Sequence, residues 1–417
     1  MPKDQLQTPS QHPLSYLLLA FMAMSTLSYL NFLPGLVNAL AGGIGFSDAE
    51  AGQIVALNGY GALCGSAMAI FLVRRIRWQP MLLLCLPVLA AMDITSAWFN
   101  TFDDMLSWRF AAGAIGGLAF GLVVAQLAKL ANPDRAFGAL LFLQFSLGPL
   151  VMVLLPALEA QLGPYAVFWV MAALSILSLL MLLGLPAQPN HANRTQAAMA
   201  TVKRSQGSDV QPIILLLLAI AAYQLAASAI WAYVGLIGLD AAISHDNVNN
   251  AIAATGLLGL LGALLPIVTG QRYGRLLWLL CGSAFSIIAA VLLNFAAQHG
   301  LYLLAMALLF FAWPAIQAYL FAVSAAFDGS GRLSTIATLV ASVGLASGPL
   351  MASLLLAPND FSKLLYCCAA IFLLSFLLLL RPVQAQEKPV LLKSQSESPS
   401  QSQEQQQQQH NPNHATN

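Results

Sequence analysis

Basic residues and apolar stretches alternate along this chain in a pattern that constrains it to cross a membrane many times. Of the 17 Lys and Arg residues, all but Arg109 and Lys363 lie at the two ends or in every second gap between a dozen apolar runs. The basic gaps hold Arg74, Arg75 and Arg77, then Lys129 and Arg135, then Arg194, Lys203 and Arg204, then Arg272 and Arg275, then Arg332. The gaps between them hold Asp48, Glu50, Asp103, Asp104, Glu159, Asp240, Asp246 and Asp360, with Lys363 as their one base. Cytoplasmic loops retain the excess of Lys and Arg, so the pattern puts both termini in the cytoplasm and the acidic gaps outside.

Composition fits lipid as the solvent: 59% of the residues are hydrophobic, 8% are charged, and mean hydropathy is +0.75. A crossing helix needs about 20 mostly apolar residues. Twelve runs supply them, at 14–36, 48–72, 79–99, 104–130, 136–158, 164–185, 212–238, 247–270, 276–297, 300–325, 332–356 and 361–381. Runs such as Ile214 to Ala222 do not alternate polar with apolar, which excludes barrel strands and predicts helices. The first run lacks a small-residue cleavage site and reads as a retained helix. Five Cys, at 64, 85, 281, 367 and 368, show no metal-ligand spacing and read as buried thiols.

The chain is built twice. GALCGSAMAIFLVRRIR from Gly61 parallels GLLGALLPIVTGQRYGR from Gly259, pairing Arg74 with Arg272 and Arg77 with Arg275. Gly148 and Pro149 recur as Gly348 and Pro349. The spacing predicts a cytoplasmic segment 1–13, a six-helix bundle 14–187, a polar linker 188–211, a second six-helix bundle 212–381, and a disordered Gln/Ser-rich cytoplasmic tail 382–417. A six-plus-six repeat suits a secondary transporter with its solute between the halves.

These residues also resemble the major facilitator superfamily. QRYGR at 271–275 is similar to the cytoplasmic signature that follows helices 2 and 8 of that family, although its usual acidic residue is Gln271 here and Val73 in the other half. Arg109 with Gly113, Gly116 and Gly117 resembles the helix 4 signature. Gly148 and Pro149 resemble the helix 5 antiporter signature, with Gln144, Met152 and Val153 standing where glycines are usual; Gly344, Gly348, Pro349, Ala352 and Ser353 keep more of it. The resemblance implies an all-α membrane protein of twelve helices in two six-helix halves, with helices 1, 4, 7 and 10 as the cavity walls. It makes Arg74, Arg77, Gly148, Pro149, Gln271, Arg272, Gly274, Arg275, Gly348 and Pro349 conformational motifs.

Asp93 and Arg109 are the strongly ionisable residues deep inside the runs, each about eight residues from the turn near Thr101 and so roughly 12 Å deep. One expectation places Arg109 on the central cavity, drawing an anionic solute or biasing a proton site, with Asp93 as proton carrier. The alternative is a fixed ion pair that clamps helices 3 and 4. On the implied walls, helix 1 offers Ser25, Tyr29 and Asn31, helix 7 offers Tyr223, Gln224, Ser228 and Trp231, and helix 10 offers Trp313 and Gln317. Amides and rings of this kind grip a mixed polar and aromatic solute, or else bond helix to helix. Trp98 and Tyr233 read as interface anchors.

No GxxxxGK segment appears, all six His fall in loops or tails, and the membrane carries no set of catalytic acids and bases. An enzyme is therefore not expected, nor a metal or cofactor beyond a proton gradient. A net charge of +1 distributed by topology offers no nucleic acid a basic patch. The expectation is a multi-pass transporter of the inner membrane that moves a small organic solute with proton coupling, leaning to efflux of a drug-like compound or metabolite. Import of an organic anion is an alternative, as is a transporter-like receptor signalling through its tail. The sequence leaves oligomeric state open.

Overall fold

A computed structural model describes residues 13–72, 75–127, 133–183, 210–269, 275–327, 332–356 and 360–384. The regular elements among them are helices. Eleven are long and apolar enough to cross a membrane, and an interrupted helical segment at the N-terminus supplies a further crossing. Crossing 1 runs through Pro13–Thr26, Ser28–Asn31, Leu33–Asn38 and a π-helical turn Ala39–Ile44. Crossings 2 to 6 are Asp48–Leu72, Trp78–Trp98, Phe102–Leu127, Pro133–Leu162 and Ala166–Leu183. Crossing 7 is Val210–Asp240, and crossing 8 is broken at Leu257 into His245–Gly256 and Leu258–Thr269. Crossings 9 to 12 are Arg275–Phe295, His299–Phe327, Arg332–Leu355 and Ser362–Gln384.

The expected spans match these closely except at two ends. Crossing 1 continues through Ile44 instead of stopping at 36, until Gly45 turns the chain with a left-handed φ of 101°. Crossing 12 carries on to Gln384, past the expected start of the tail. Arg74, Gln271, Arg272, Gly274, the linker 188–209 and the tail from 385 lie outside the described residues.

Local chemistry sets the helix starts. Ser47 and Glu50 form a reciprocal cap on crossing 2: the Glu50 carboxylate accepts from the Ser47 N–H at 2.8 Å, and the Ser47 hydroxyl accepts from the Glu50 N–H at 3.2 Å. Crossing 1 breaks where Leu27 and Phe32 leave helical geometry, at φ −118° and −111°. Side chains pointing away from the bundle are apolar and open, as at Phe71, 72% exposed, and Leu354, 73% exposed, which is the surface lipid requires.

Glycines govern how closely the crossings approach. Crossings 2 and 4 touch backbone to backbone, because a Cβ at Gly61, Gly65, Gly113 or Gly117 would strike the carbonyl oxygen of Phe110, Ala114, Asn58 or Ala62 respectively. In the second half Gly262, not Gly259, meets the matching Phe311 carbonyl of crossing 10, while Gly259 packs on Phe145. Residue and partner move together by three positions, so the spacing between Gly61 and Phe110 recurs between Gly262 and Phe311. Gly348 lies against Ser228 and Leu225 of crossing 7, and Gly148 faces Asn31 of crossing 1, so the two Gly-Pro motifs make equivalent contacts in the two halves.

Gly117→Ala is expected to lower the melting temperature and yield of purified protein, since overpacking costs about 1–3 kcal/mol. Gly300→Ala, where a Cβ meets open space, is expected to leave both unchanged. Equal melting temperatures for the two variants would show that crossings 2 and 4 do not depend on this contact.

Candidate functional site

The halves are locked together at the end that bears the acidic gaps. Tyr233 of crossing 7 donates its hydroxyl to the Asp48 carbonyl of crossing 2 at 2.7 Å. Gly52 admits that ring and the Pro349 carbonyl, and Gly235 admits the Asn38 amide. Nearby, His245 Nε2 of crossing 8 stands 3.6 Å from Glu159 Oε2 of crossing 5. Deeper, the Tyr60 hydroxyl and Ser347 hydroxyl share a hydrogen bond of 2.8 Å, and Gly59 packs on Ala346. Tyr233 is fully buried in this seal. That corrects its reading as an interface anchor; Trp98, 74% exposed, fits that description.

Below the seal lies a cavity of about 190 Å³ between the halves. Four amides line it, Asn31, Gln144, Gln224 and Gln317, together with the rings of Phe145, Trp231, Phe310 and Trp313. Gly148, Pro149, Met152, Ile252, Gly256, Pro314, Leu30 and Leu345 complete the wall. Among the described residues, none that lines it carries a charged or titratable side chain.

Two indoles are fixed by their own hydrogen bonds. Trp313 Nε1 donates to Gln224 Oε1 at 2.7 Å, joining crossings 10 and 7 across the cavity wall. Trp231 Nε1 donates to the Leu30 carbonyl at 3.1 Å, from one half to the other. That carbonyl is free because its helical partner, four residues on, is Pro34, which has no N–H. Trp231 also sets its ring edge-on to Phe310, centroids 5.0 Å apart.

Of the predicted cavity residues, Asn31, Gln224, Trp231, Trp313 and Gln317 meet at this one cavity. Tyr29 and Tyr223 turn elsewhere. The Tyr223 hydroxyl shares a 2.9 Å hydrogen bond with Ser286 of crossing 9, and its ring lies 5.1 Å from Phe372 of crossing 12. Ser25 bonds Ser178 of crossing 6. Ser228 donates to the Leu225 carbonyl at 3.3 Å. The implied walls also need correction, since crossing 4 contributes nothing to the cavity while crossings 5, 8 and 11 do. Crossing 4 is held away by its glycine contact with crossing 2. Gln144 and Phe145 were missed as wall residues; the polar Gln144 within an apolar run was the available signal.

Asp93 and Arg109 do come together, but inside the N-terminal half. Arg109 Nη1 lies 2.6 Å from Asp93 Oδ1, and both side chains are at most 2% exposed. The guanidinium carbon stands 5.2 Å from the Phe168 ring centroid, a cation–π contact. Ser96, anchored to the Met92 carbonyl at 2.9 Å, sits at the edge of the pair. Arg109 therefore does not line the central cavity, and the expectation that it faces the solute is corrected. A void of about 10 Å³ adjoins the pair, bordered also by Tyr29 and Asn58. Asp93 Oδ2, Arg109 Nε and Asn58 Oδ1 have no hydrogen-bond partner.

Of the motif residues that are described, one pair lines the cavity and the others do not. Gly148 and Pro149 line it, whereas Gly348 and Pro349 pack on crossings 7 and 2. Arg77 precedes crossing 3 on the surface, and Arg275 begins crossing 9.

A sequence model described as Major Facilitator Superfamily matches residues 16–269, more than half of the chain. The chain belongs to that superfamily. Solved transporters share its fold at low identity. The nucleoside transporter NupG is 14% identical, covering 89% of this chain and 99% of that one, with a TM-score of 0.69. The POT family transporter PepTSo is 14% identical over 91% and 99%, with a TM-score of 0.68. A D-xylose-proton symporter is 18% identical over 89% and 98%, also at 0.68. No curated protein matches the sequence. The superfamily and the shared fold make this multi-pass membrane protein a transporter of small molecules and not an enzyme.

Removing one partner of a buried ion pair strands the other charge, at a cost of about 3–5 kcal/mol. Arg109→Ala is expected to lower the melting temperature by several degrees, and the double variant Asp93→Asn with Arg109→Gln to recover most of it. A melting temperature for Arg109→Ala equal to that of the unaltered protein would mean the pair does not clamp crossings 3 and 4.

Proposed function

We propose that this protein is a secondary active transporter of a neutral, ring-bearing small organic solute, which binds between the halves and crosses by alternating access. The observation that carries the reading is the central cavity, with four amides, four aromatic rings and no charged side chain. A charged solute entering such a site would shed its hydration and meet no counter-charge, at a cost of several kcal/mol. Arg109, sealed in its own half against Asp93, offers an organic anion nothing. Nucleosides and xylose, named for two of the structural relatives, are neutral solutes of this kind.

Proton coupling we assign to Asp93. It is a buried carboxylate with one oxygen unpartnered, beside a void of about 10 Å³, near the lower limit for a single water. Protonating it would release Arg109 and loosen crossing 3 from crossing 4. The partial antiporter signatures at Gly148–Pro149 and Gly348–Pro349 favour efflux of a metabolite or drug-like compound, with the acidic end outside and the protein in the inner membrane.

The test is an untargeted comparison of solutes inside and outside cells lacking or overproducing the chain, with and without an uncoupler. The expected result is a neutral solute whose distribution follows the chain and collapses with the gradient. Gln317→Ala is expected to raise its KM about tenfold, the worth of one hydrogen bond at roughly 1.4 kcal/mol, with folding intact. Asp93→Asn paired with Arg109→Gln is expected to keep binding and lose gradient dependence. A charged solute as the sole cargo would overturn the reading of the cavity; gradient dependence surviving in the double variant would return Asp93 to a structural role.

A further inference from the structure

The cavity wall carries a regularity in its prolines. Proline lacks an N–H, so inside a helix the carbonyl four residues earlier loses its helical partner. Pro149 releases Phe145, Pro156 releases Met152, Pro314 releases Phe310 and Pro349 releases Leu345, and all four released residues line the cavity. Pro34 releases Leu30, also on the wall. By contrast Pro87 releases Leu83, which is 39% exposed on the outside of the bundle.

Leu30 demonstrates what such a carbonyl does here. It captures a side-chain donor from the opposite half, the Trp231 indole at 3.1 Å. Phe145 and Phe310 are better placed for a solute. At both positions the proline itself lines the cavity as well, so residue and proline share one helix face, and a helical carbonyl points along the axis toward the residue four positions on. One lies on crossing 5 and the other on crossing 10, in different halves, each with a cavity glutamine nearby on its own helix, Gln144 and Gln317. Both indole donors in the wall are already engaged, by Leu30 and by Gln224.

We propose that the carbonyls of Phe145 and Phe310, released by Pro149 and Pro314, are the fixed hydrogen-bond acceptors of the cavity, and that its solute carries hydroxyl or amino donors at two points, one toward each half. Amide side chains can flip to present either an acceptor or a donor, whereas a backbone carbonyl can only accept. In a bilayer core no lipid replaces the missing partner. An analogue without the donor therefore leaves a carbonyl unpaired, which is how a polar site rejects a close mimic. The inference rests on the central cavity being the neutral-solute site and deepens it from neutral to donor-bearing.

The experiment measures equilibrium binding of probe pairs to the purified full chain: uridine, adenosine and D-xylose, each against its O-methylated counterpart. The parent compound is expected to bind about three- to tenfold more tightly for each donor that meets a released carbonyl. Pro149→Ala and Pro314→Ala restore the missing N–H, let the helix reclaim the carbonyl, and are expected to bring that ratio toward one. Pro87→Ala is expected to leave it unchanged. A proline serving only as a hinge would slow flux of both members of a pair and leave the binding ratio intact. An unchanged ratio in both cavity variants, with binding retained, overturns the inference alone. Failure of the unaltered chain to bind any of the neutral probes overturns the neutral-solute reading, and the inference with it.

Discussion

A bilayer offers no hydrogen-bond partner to a backbone that leaves the helical ladder, and the centre of this transporter is arranged around that constraint. Interruptions in crossings 1, 5, 8, 10 and 11, unlike Pro87 in crossing 3, lie where protein or cavity can satisfy them. Crossing 1 breaks at Leu27 and Phe32, crossing 8 at Leu257, and Pro149, Pro314 and Pro349 interrupt crossings 5, 10 and 11. Crossings 1, 5, 8, 10 and 11 all contribute to the cavity wall. The Trp231 bond to Leu30 then serves two ends: it satisfies an exposed carbonyl and ties the halves beside the solute site.

Charge obeys the same economy of solvation. The deep Asp93–Arg109 pair is enclosed by Phe168, Ser96 and the bundle of its own half and puts no charge on the cavity. Breaking such a pair is costly, while a neutral pair of similar shape need not be. Asp93 Oδ2 and Arg109 Nε have no protein partner, so the pair is incompletely satisfied by its own half.

The fold was legible in the sequence because hydropathy, charge alternation and the internal repeat all report on lipid, which acts along the whole chain. All twelve runs reappear within a few residues, apart from the extended end of crossing 1. Depth was legible too: equal distances from the turn near Thr101 were enough to pair Asp93 with Arg109. Facing was not. Whether Tyr29 points to the cavity or to Asn58 depends on a local break in crossing 1 that hydropathy does not encode. Tyr233 was misplaced for a related reason, since an aromatic near a helix end looks the same whether it meets headgroups or the opposite half. Crossing 4 was assigned to the cavity on resemblance, and its glycines instead hold it against crossing 2.

The halves share a fold yet divide the work, and crossing 1 is where the divisions meet. The N-terminal half holds the ion pair, while crossing 7 of the C-terminal half is tied to its neighbours by neutral bonds, Tyr223 with Ser286 and Tyr302 with the Val234 carbonyl at 2.9 Å. On the proposed coupling through Asp93, a charge change in one half has to reach a cavity built by both. Tyr29 borders the void beside the ion pair, Leu30 and Asn31 line the cavity, and Asn38 lies against Gly235 in the seal between the halves. One short stretch of chain thus touches all three regions, and its two breaks flank the residues that meet the void and the cavity, Tyr29, Leu30 and Asn31. A continuous helix there would transmit a shift as a rigid rod; a helix interrupted at Leu27 and Phe32 can turn Tyr29 with the ion pair and reposition Asn31 without dragging the whole bundle. The irregularity of crossing 1 is in that sense the mechanical counterpart of the charge asymmetry between the halves.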